Sequence, residues 1–201
     1  MIKLQIEGSE YELAREWSEI SFAQYIEVVN INKDKWNDLE KAVKIIAHIS
    51  NKPAECEQSI LKLSKEDFEE LASYFVWTNH PIDEFKSEKD FLEIDGKKYK
   101  IKKDYNKLSL GEMISVETLI ENNKNLDAFE VAFGVLLREV DEDGKEKEFN
   151  EDVFIDVIQN LKTKVMLLDI YNHISFFLSG VQISTTQNLK GFSIQVMEKS
   201  S

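Results

Sequence analysis

The stretch IEGSEYELAREWSEISFAQYIEV (6–28) lies without a gap over IDGKKYKIKKDYNKLSLGEMISV when Ile6 is set on Ile94. Ile6/Ile94, Gly8/Gly96, Tyr11/Tyr99, Ser21/Ser109 and Ile26/Ile114 are identical, and Leu13/Ile101, Trp17/Tyr105, Ile20/Leu108 and Phe22/Leu110 keep their character. Internal repetition constrains a fold more than any local propensity, because one supersecondary unit must then serve twice. Chance similarity of a hairpin and a capping sequence is the competing explanation; it requires hairpin, cap and flanking apolar pair to coincide in one register.

Each copy reads the same way. Ile6-Glu-Gly8 and Ile94-Asp-Gly96 are turn signals between alternating segments, and Asp95-Gly96 is the stronger, since Asp-Gly supplies the positive φ of a tight hairpin turn. Strands are predicted near 2–7, 10–14, 91–94 and 97–102. Ser21-Phe-Ala-Gln24 and Ser109-Leu-Gly-Glu112 are capping boxes: the serine oxygen accepts from the first helical turn, and the Gln or Glu reaches back to the serine N–H. Ile20 with Tyr25 and Leu108 with Met113 stand where a hydrophobic staple stands.

The parallel continues more loosely. LEKAVKIIAHIS (39–50) and LDAFEVAFGVLLRE (126–139) read as apolar helices. After a connection, Ser64 and Asn150 cap further helices, with acids in the first turn and Phe68 or Phe154 at the staple position. The expected fold class is therefore α+β and mostly α-helical, with two tandem related units, each a β-hairpin followed by about three helices. The expected boundaries are 1–86 for the first unit, 87–180 for the second, and 181–201 for a polar C-terminal arm. The seam falls in PIDEFKSEK (81–89), which is polar and turn-prone.

The second copy is predicted to end in one long helix over 150–180, because Phe154, Ile158, Leu161, Val165 and Leu168 step at helical spacing. Ile155, Met166, Ile170, Ile174 and Phe177 form a second apolar stripe. Either this helix joins the cores of both units, or its last turns, Ile174, Phe176, Phe177 and Leu178, meet another chain. In the arm, Phe192, Ile194 and Val196 alternate with polar residues. That is the pattern of a segment able to add a strand to a neighbour's sheet, the alternative being a frayed terminus. These seven residues are the expected protein-binding positions.

Composition excludes several functions. A formal net charge of −13 argues against nucleic-acid and anionic-membrane partners, which need a basic face. No apolar run reaches membrane-spanning length, and the alternation of MIKLQIEGSEYEL is that of a strand, not of a signal peptide. One cysteine, Cys56, permits no internal disulfide, and its glutamate neighbours disfavour a thiolate. His48, His80 and His173 lie far apart, and no two His or Cys residues stand at metal-ligand spacing. Glu139-Val-Asp141-Glu-Asp143-Gly144 starts like a calcium loop, but the twelfth position is Asn150, so a charged turn around Asp143-Gly144 is expected instead. Nucleophile and phosphate-loop motifs are absent. No catalytic residue, cofactor or metal is predicted, and an enzyme is the least favoured class.

The residues YKIKKDYNKLSLGEMISVETL (99–119), their counterpart at 11–31, and the helix–loop–helix KIIAHISNKPAECEQSILKLSKEDFEELASYFVW (44–77) share one grammar: strand-like entry, apolar-Ser-x-x-Glu/Gln helix start, aliphatic helix, acid-capped helix. In this the chain resembles small acidic helical proteins of tailed bacteriophages, tail assembly chaperones and virion ring or connector proteins among them. The resemblance covers most of the chain and departs from it in the doubling and the polar arm. It implies a non-enzymatic structural or assembly role. The implied partners are other virion or tail proteins in a homo-oligomer or larger assembly, in the host cytoplasm or the virion. A host-directed acidic binder with an anti-defence role is the alternative. Its acids, however, are interspersed with lysines, which weakens a nucleic-acid mimic.

Overall fold

A computed structural model describes residues 1–80, 82, 89–103, 108–114, 118 and 128–178. The fold is α+β and mostly helical, as the sequence predicts. Contacts divide the chain into two units. The first comprises Met1–Ser87 with Lys162–Ile170; the second comprises the described residues of Glu88–Leu161 and those from Tyr171 onward. The boundaries expected from sequence put Lys162–Ile170 in the second unit, whereas its contacts group it with the first.

In the first unit, β1 (Ile2–Ile6) and β2 (Ser9–Leu13) pair antiparallel with Leu4 opposite Tyr11 and Ile6 opposite Ser9. The turn between them holds Glu7 at φ 50° and Gly8 at φ 80°, two consecutive left-handed residues, so the loop twists with the strands. α1 (Phe22–Lys33) starts at a complete capping box, Ser21 with Gln24. Gln24 does two jobs: its carbonyl accepts the Ser21 N–H at 2.9 Å, and its amide donates to the His48 carbonyl at 3.1 Å. α2 (Asp38–His48) carries a second complete box, Asn37 with Glu40, which periodicity alone had not singled out. The chain then returns to the hairpin: the Ala14 N–H donates to Ile49 O and the Asn51 N–H to Glu12 O. α3 (Pro53–Ile60) forms where only a connection was expected, with Pro53 in its first turn, where a missing N–H costs nothing. α4 (Lys65–Ser73) starts at Ser64, whose side chain accepts the Asp67 N–H.

Tyr11 ties β2 to α3. Its phenol lies 2.8 Å from Ser59 Oγ and donates to the Glu55 carbonyl at 3.2 Å, while Tyr11, Ser59 and Cys56 are all buried. Removing one partner leaves a buried polar atom dry, which costs about 1–3 kcal/mol. Tyr11→Phe is therefore expected to lower the unfolding free energy by about that amount in urea titration. Tyr11→Phe with Ser59→Ala should recover part of the loss.

In the second unit, β3 (Phe91–Ile94), β4 (Lys97–Ile101) and β5 (Leu137–Val140) form an antiparallel sheet in that order. Leu92 faces Tyr99 and Ile94 faces Lys97, with Asp95 at φ 52° and Gly96 at φ 74° in the turn. Ser109 and Glu112 cap a helical stretch at 110–114. The helix Ala128–Leu136 ends three residues earlier than its periodicity suggests, because Leu137–Val140 are a strand. Lys102 N–H donates to Leu136 O, and β5 lies against β4 with Ile101 opposite Leu137. Asn150 caps the helix Glu151–Asp156 through the Val153 N–H.

The single helix expected over 150–180 is not observed. Glu151–Asp156 passes into a π-helical turn at Val157–Leu161, a turn follows, and helix resumes at 167–178. After the turn at 162–164, Met166 bridges Ser21 antiparallel. The Phe22 N–H donates to Val165 O at 2.8 Å, Ala23 N–H to Lys162 O at 2.9 Å, and Leu167 N–H to Ile20 O at 3.0 Å. The first two bonds satisfy the Phe22 and Ala23 amides of α1, which have no partner within their own helix. Val165 and Leu167 are buried and Met166 between them is not, the alternation of an extended segment.

Candidate functional site

The expected binding residues separate by burial. Phe176 is 67% exposed, Leu178 is half-buried, and Ile174 and Phe177 are buried at 0% and 4%. The exposed stripe predicted at 174–178 therefore reduces to Phe176 at its centre, since Ile170, Ile174 and Phe177 of the second apolar face are buried. Phe192, Ile194 and Val196 lie outside the described residues, as does the arm 181–201.

An open groove of about 480 Å³ lies on the first unit. Ala42, Ile45 and Ile46 of α2, Ala72 of α4, and Phe75 and Val76 just past the end of α4 give it an apolar lining. Asn32, Asp38, Lys41, Ser73, Thr78 and Asn79 supply its polar groups. Ile46 and Phe75 are buried, whereas Val76 is exposed. α2 supplies the wall because its apolar residues recur at helical spacing and one face, Val43, Ile46 and Ala47, is already buried. An apolar centre ringed by polar and charged groups is the anatomy of a protein-binding surface.

A smaller groove of about 290 Å³ lies between β1 and α4, lined by Leu4, Ile6, Leu63, Leu71 and Tyr74 with Glu7, Asp67 and Glu70 beside them. A third, of about 230 Å³ in the second unit, holds Tyr99 among Glu139, Asp152 and Asp156. Burial first, then the charges of Glu139, Asp156 and Asp95, push the Tyr99 phenol up to about 12. It stays protonated at neutral pH and is no general base.

The densest ionic cluster sits in the second unit. Arg138 on β5 is 1% exposed. Its Nη1 donates to the carbonyls of Leu137 at 2.9 Å and Gly134 at 3.3 Å, its Nη2 to Glu112 Oε1 at 3.1 Å, and its guanidinium lies 4.0 Å from the centre of the Phe149 ring. Glu112 Oε1 also accepts from Lys102 Nζ at 2.7 Å, and Oε2 accepts the Ser109 N–H at 2.7 Å. One carboxylate oxygen thus caps a helix while the other neutralises two cations. Desolvation pushes the Glu112 carboxyl up, but the hydrogen bonds from Lys102, Ser109 and Arg138 outweigh it and hold the group at about 2. Burial pulls Arg138 down and Glu112 and Glu146 oppose it. A guanidinium stays charged near neutrality regardless, so the carboxylate is the partner that titrates. Lys102 reaches on to Glu146 at 3.3 Å, Lys100 meets Glu146 at 2.9 Å, and Lys147 contacts Glu139. Every member is committed to a partner inside the fold.

The remaining polar residues behave as structure. His48 Nδ1 lies 2.8 Å from Lys44 O, four residues earlier in α2. Burial pulls His173 down, and its Nε2 is a buried atom with no hydrogen-bond partner. Cys56 is buried, and desolvation pushes its thiol up. Asp141 Oδ1 accepts the N–H groups of Asp143 and Lys145, so the acidic loop is held as a turn with Gly144 at φ 78°. Among the described residues, no group of three or more His, Cys, Asp or Glu is placed to hold a metal ion, and no helix is long and apolar enough to cross a membrane. No single stretch of sequence signals the groove on the first unit, because its walls come from segments far apart in the chain. Compared with models of known protein families, with curated proteins and with solved structures, the chain matches none.

Proposed function

We propose that the chain is a structural or assembly protein of a tailed bacteriophage that works by binding other protein subunits, as a tail ring or connector component or as a tail assembly chaperone. The observation that carries this reading is the groove between α2 and the end of α4, with buried Ile46 and Phe75 and exposed Val76. A groove of this kind accepts apolar anchors of a partner while its rim hydrogen-bonds the surrounding chain. The resemblance to small acidic phage proteins supplies the partner class, and the charge of −13 favours partners other than nucleic acid.

Affinity purification of the full chain from infected cells tests this. Virion or tail subunits of the same phage are expected to co-purify with the wild type. They should be lost with Ala42→Lys/Val76→Lys, which sets two charges in the groove, while the circular dichroism spectrum is unchanged. Recovery of host proteins alone would favour the anti-defence reading, and unaltered recovery of phage subunits with the variant would move the binding surface elsewhere. Mass spectrometry of purified particles separates the two phage roles: a chaperone is absent from the mature virion, a ring component present.

A further inference from the structure

Two tyrosines hold matching places in the two hairpins and end differently. Tyr11 stands opposite Leu4 and Tyr99 opposite Leu92, and they are 2% and 3% exposed. A phenol buried that far ordinarily finds a hydrogen-bond partner. Tyr11 has two, Ser59 and the Glu55 carbonyl. Among the described residues nothing hydrogen-bonds the Tyr99 phenol. What stays open of Tyr99 lines the groove of about 230 Å³ in the second unit, with Glu139, Asp152, Val153, Asp156 and Val157 as the other walls.

The charges of this groove are unevenly matched. Glu139 is balanced by Lys97 at 3.5 Å and by Lys147. Asp152 and Asp156 are exposed, and among the described residues neither is in an ion pair. Asp156 accepts only the neutral amide of Asn160. The two stand four apart on the helix Glu151–Asp156, where like charges repel. A cation in the groove would relieve that repulsion and meet the idle phenol at once.

Geometry narrows the cation. Among the described residues no three acidic groups converge as ligands of a single ion. A guanidinium is planar and spreads five N–H donors, so it reaches acceptors that a point charge cannot share. The volume is below the roughly 300–1,000 Å³ of sites that enclose a whole small molecule, and suits the end of a side chain.

We infer that this groove binds the guanidinium of an arginine side chain on a partner protein, with the Tyr99 phenol oxygen accepting one N–H and the carboxylates of Asp152 and Asp156 accepting others. The protein source of the guanidinium rests on the binding reading above. The site itself does not, since it lies in the second unit and the larger groove in the first.

NMR of the full chain with labelled tyrosine rings tests this, the Tyr99 signals being assigned by their loss in Tyr99→Phe. The probe is the blocked peptide Gly-Arg-Gly, which should shift the Tyr99 signals saturably. The citrulline peptide, of the same shape without the charge, should bind about tenfold more weakly, and so should the arginine peptide to Asp152→Asn/Asp156→Asn. An unmoved Tyr99, or equal binding of the citrulline peptide, would overturn the inference. Equal binding of Gly-Lys-Gly would overturn the choice of a guanidinium. Tighter binding of free arginine than of the blocked peptide would overturn the protein source. Each of these failures leaves the co-purification of phage subunits standing, so the two readings fail separately.

Discussion

Glu112→Ala is expected to destabilise the protein by about 3–5 kcal/mol, the loss seen when one partner of a buried ion pair is removed. The alanine strands Arg138, 1% exposed, with its Nη2 facing no anion, and it takes away the cap on the Ser109 N–H at the same time. Glu112→Gln should be intermediate: it can still cap, but it meets Lys102 and Arg138 without a charge. The same pair makes stability depend on pH. The Glu112 carboxyl titrates at about 2 in the fold against an ordinary value of 4.5. Its folded value is depressed, so its contribution is fully present above pH 4.5 and is lost as pH falls from there through about 2. Integrated over that interval it amounts to about 3 kcal/mol. Urea titrations between pH 2 and 7 should show the wild type losing that increment on the acid side and Glu112→Gln not losing it. Parallel curves for the two proteins would mean that Glu112 is not held down by its partners.

Gly134→Ala is the second large effect, and its sign runs against helix propensity. In an exposed helix interior the change gains about 1 kcal/mol. Here a Cβ would stand 2.8 and 2.9 Å from Cε2 and Cδ2 of Phe154 and 3.0 Å from Cγ1 of Ile158. Phe154 and Ile158 are both buried, so the ring has nowhere to go. Overpacking of this kind costs about 1–3 kcal/mol and should outweigh the propensity gain. Calorimetry should show a lower Tm for Gly134→Ala. Trimming Phe154 to Leu in the same chain should cost less than it does in the wild type, because the two sites share one contact. A raised Tm would show that the two helical segments can separate by a few tenths of an ångström at no cost.

What was legible in the sequence was local. Glu7-Gly8 and Asp95-Gly96 announce their turns because only a left-handed pair of residues closes such a hairpin. Ser21, Ser64, Ser109 and Asn150 announce their helices because a cap depends on residues three apart. What failed depended on partners far away. Val165-Met166-Leu167 is an apolar run that fits a helix or a strand equally, and only its bonds to Ile20 and Phe22 set Met166 in a bridge opposite Ser21 before helix resumes at 167. Leu137–Val140 read as the end of a helix, yet β4 offers an open edge, and Arg138 finds Glu112 across the fold. Ile174 and Phe177 looked surplus to one helix face because periodicity counts apolar positions without knowing how many neighbours the helix has. The groove beside α2 left no trace at all, since a concavity belongs to no single segment.

The central claim is that this chain acts by holding other proteins, and its mass in infected cells tests that most directly. Sedimentation of the native lysate, with the chain followed by antibody, should place it in complexes well above 23.4 kDa during assembly. The Ala42→Lys/Val76→Lys variant should shift it toward the mass of the free chain. A wild-type protein that sediments at 23.4 kDa throughout infection would contradict the account.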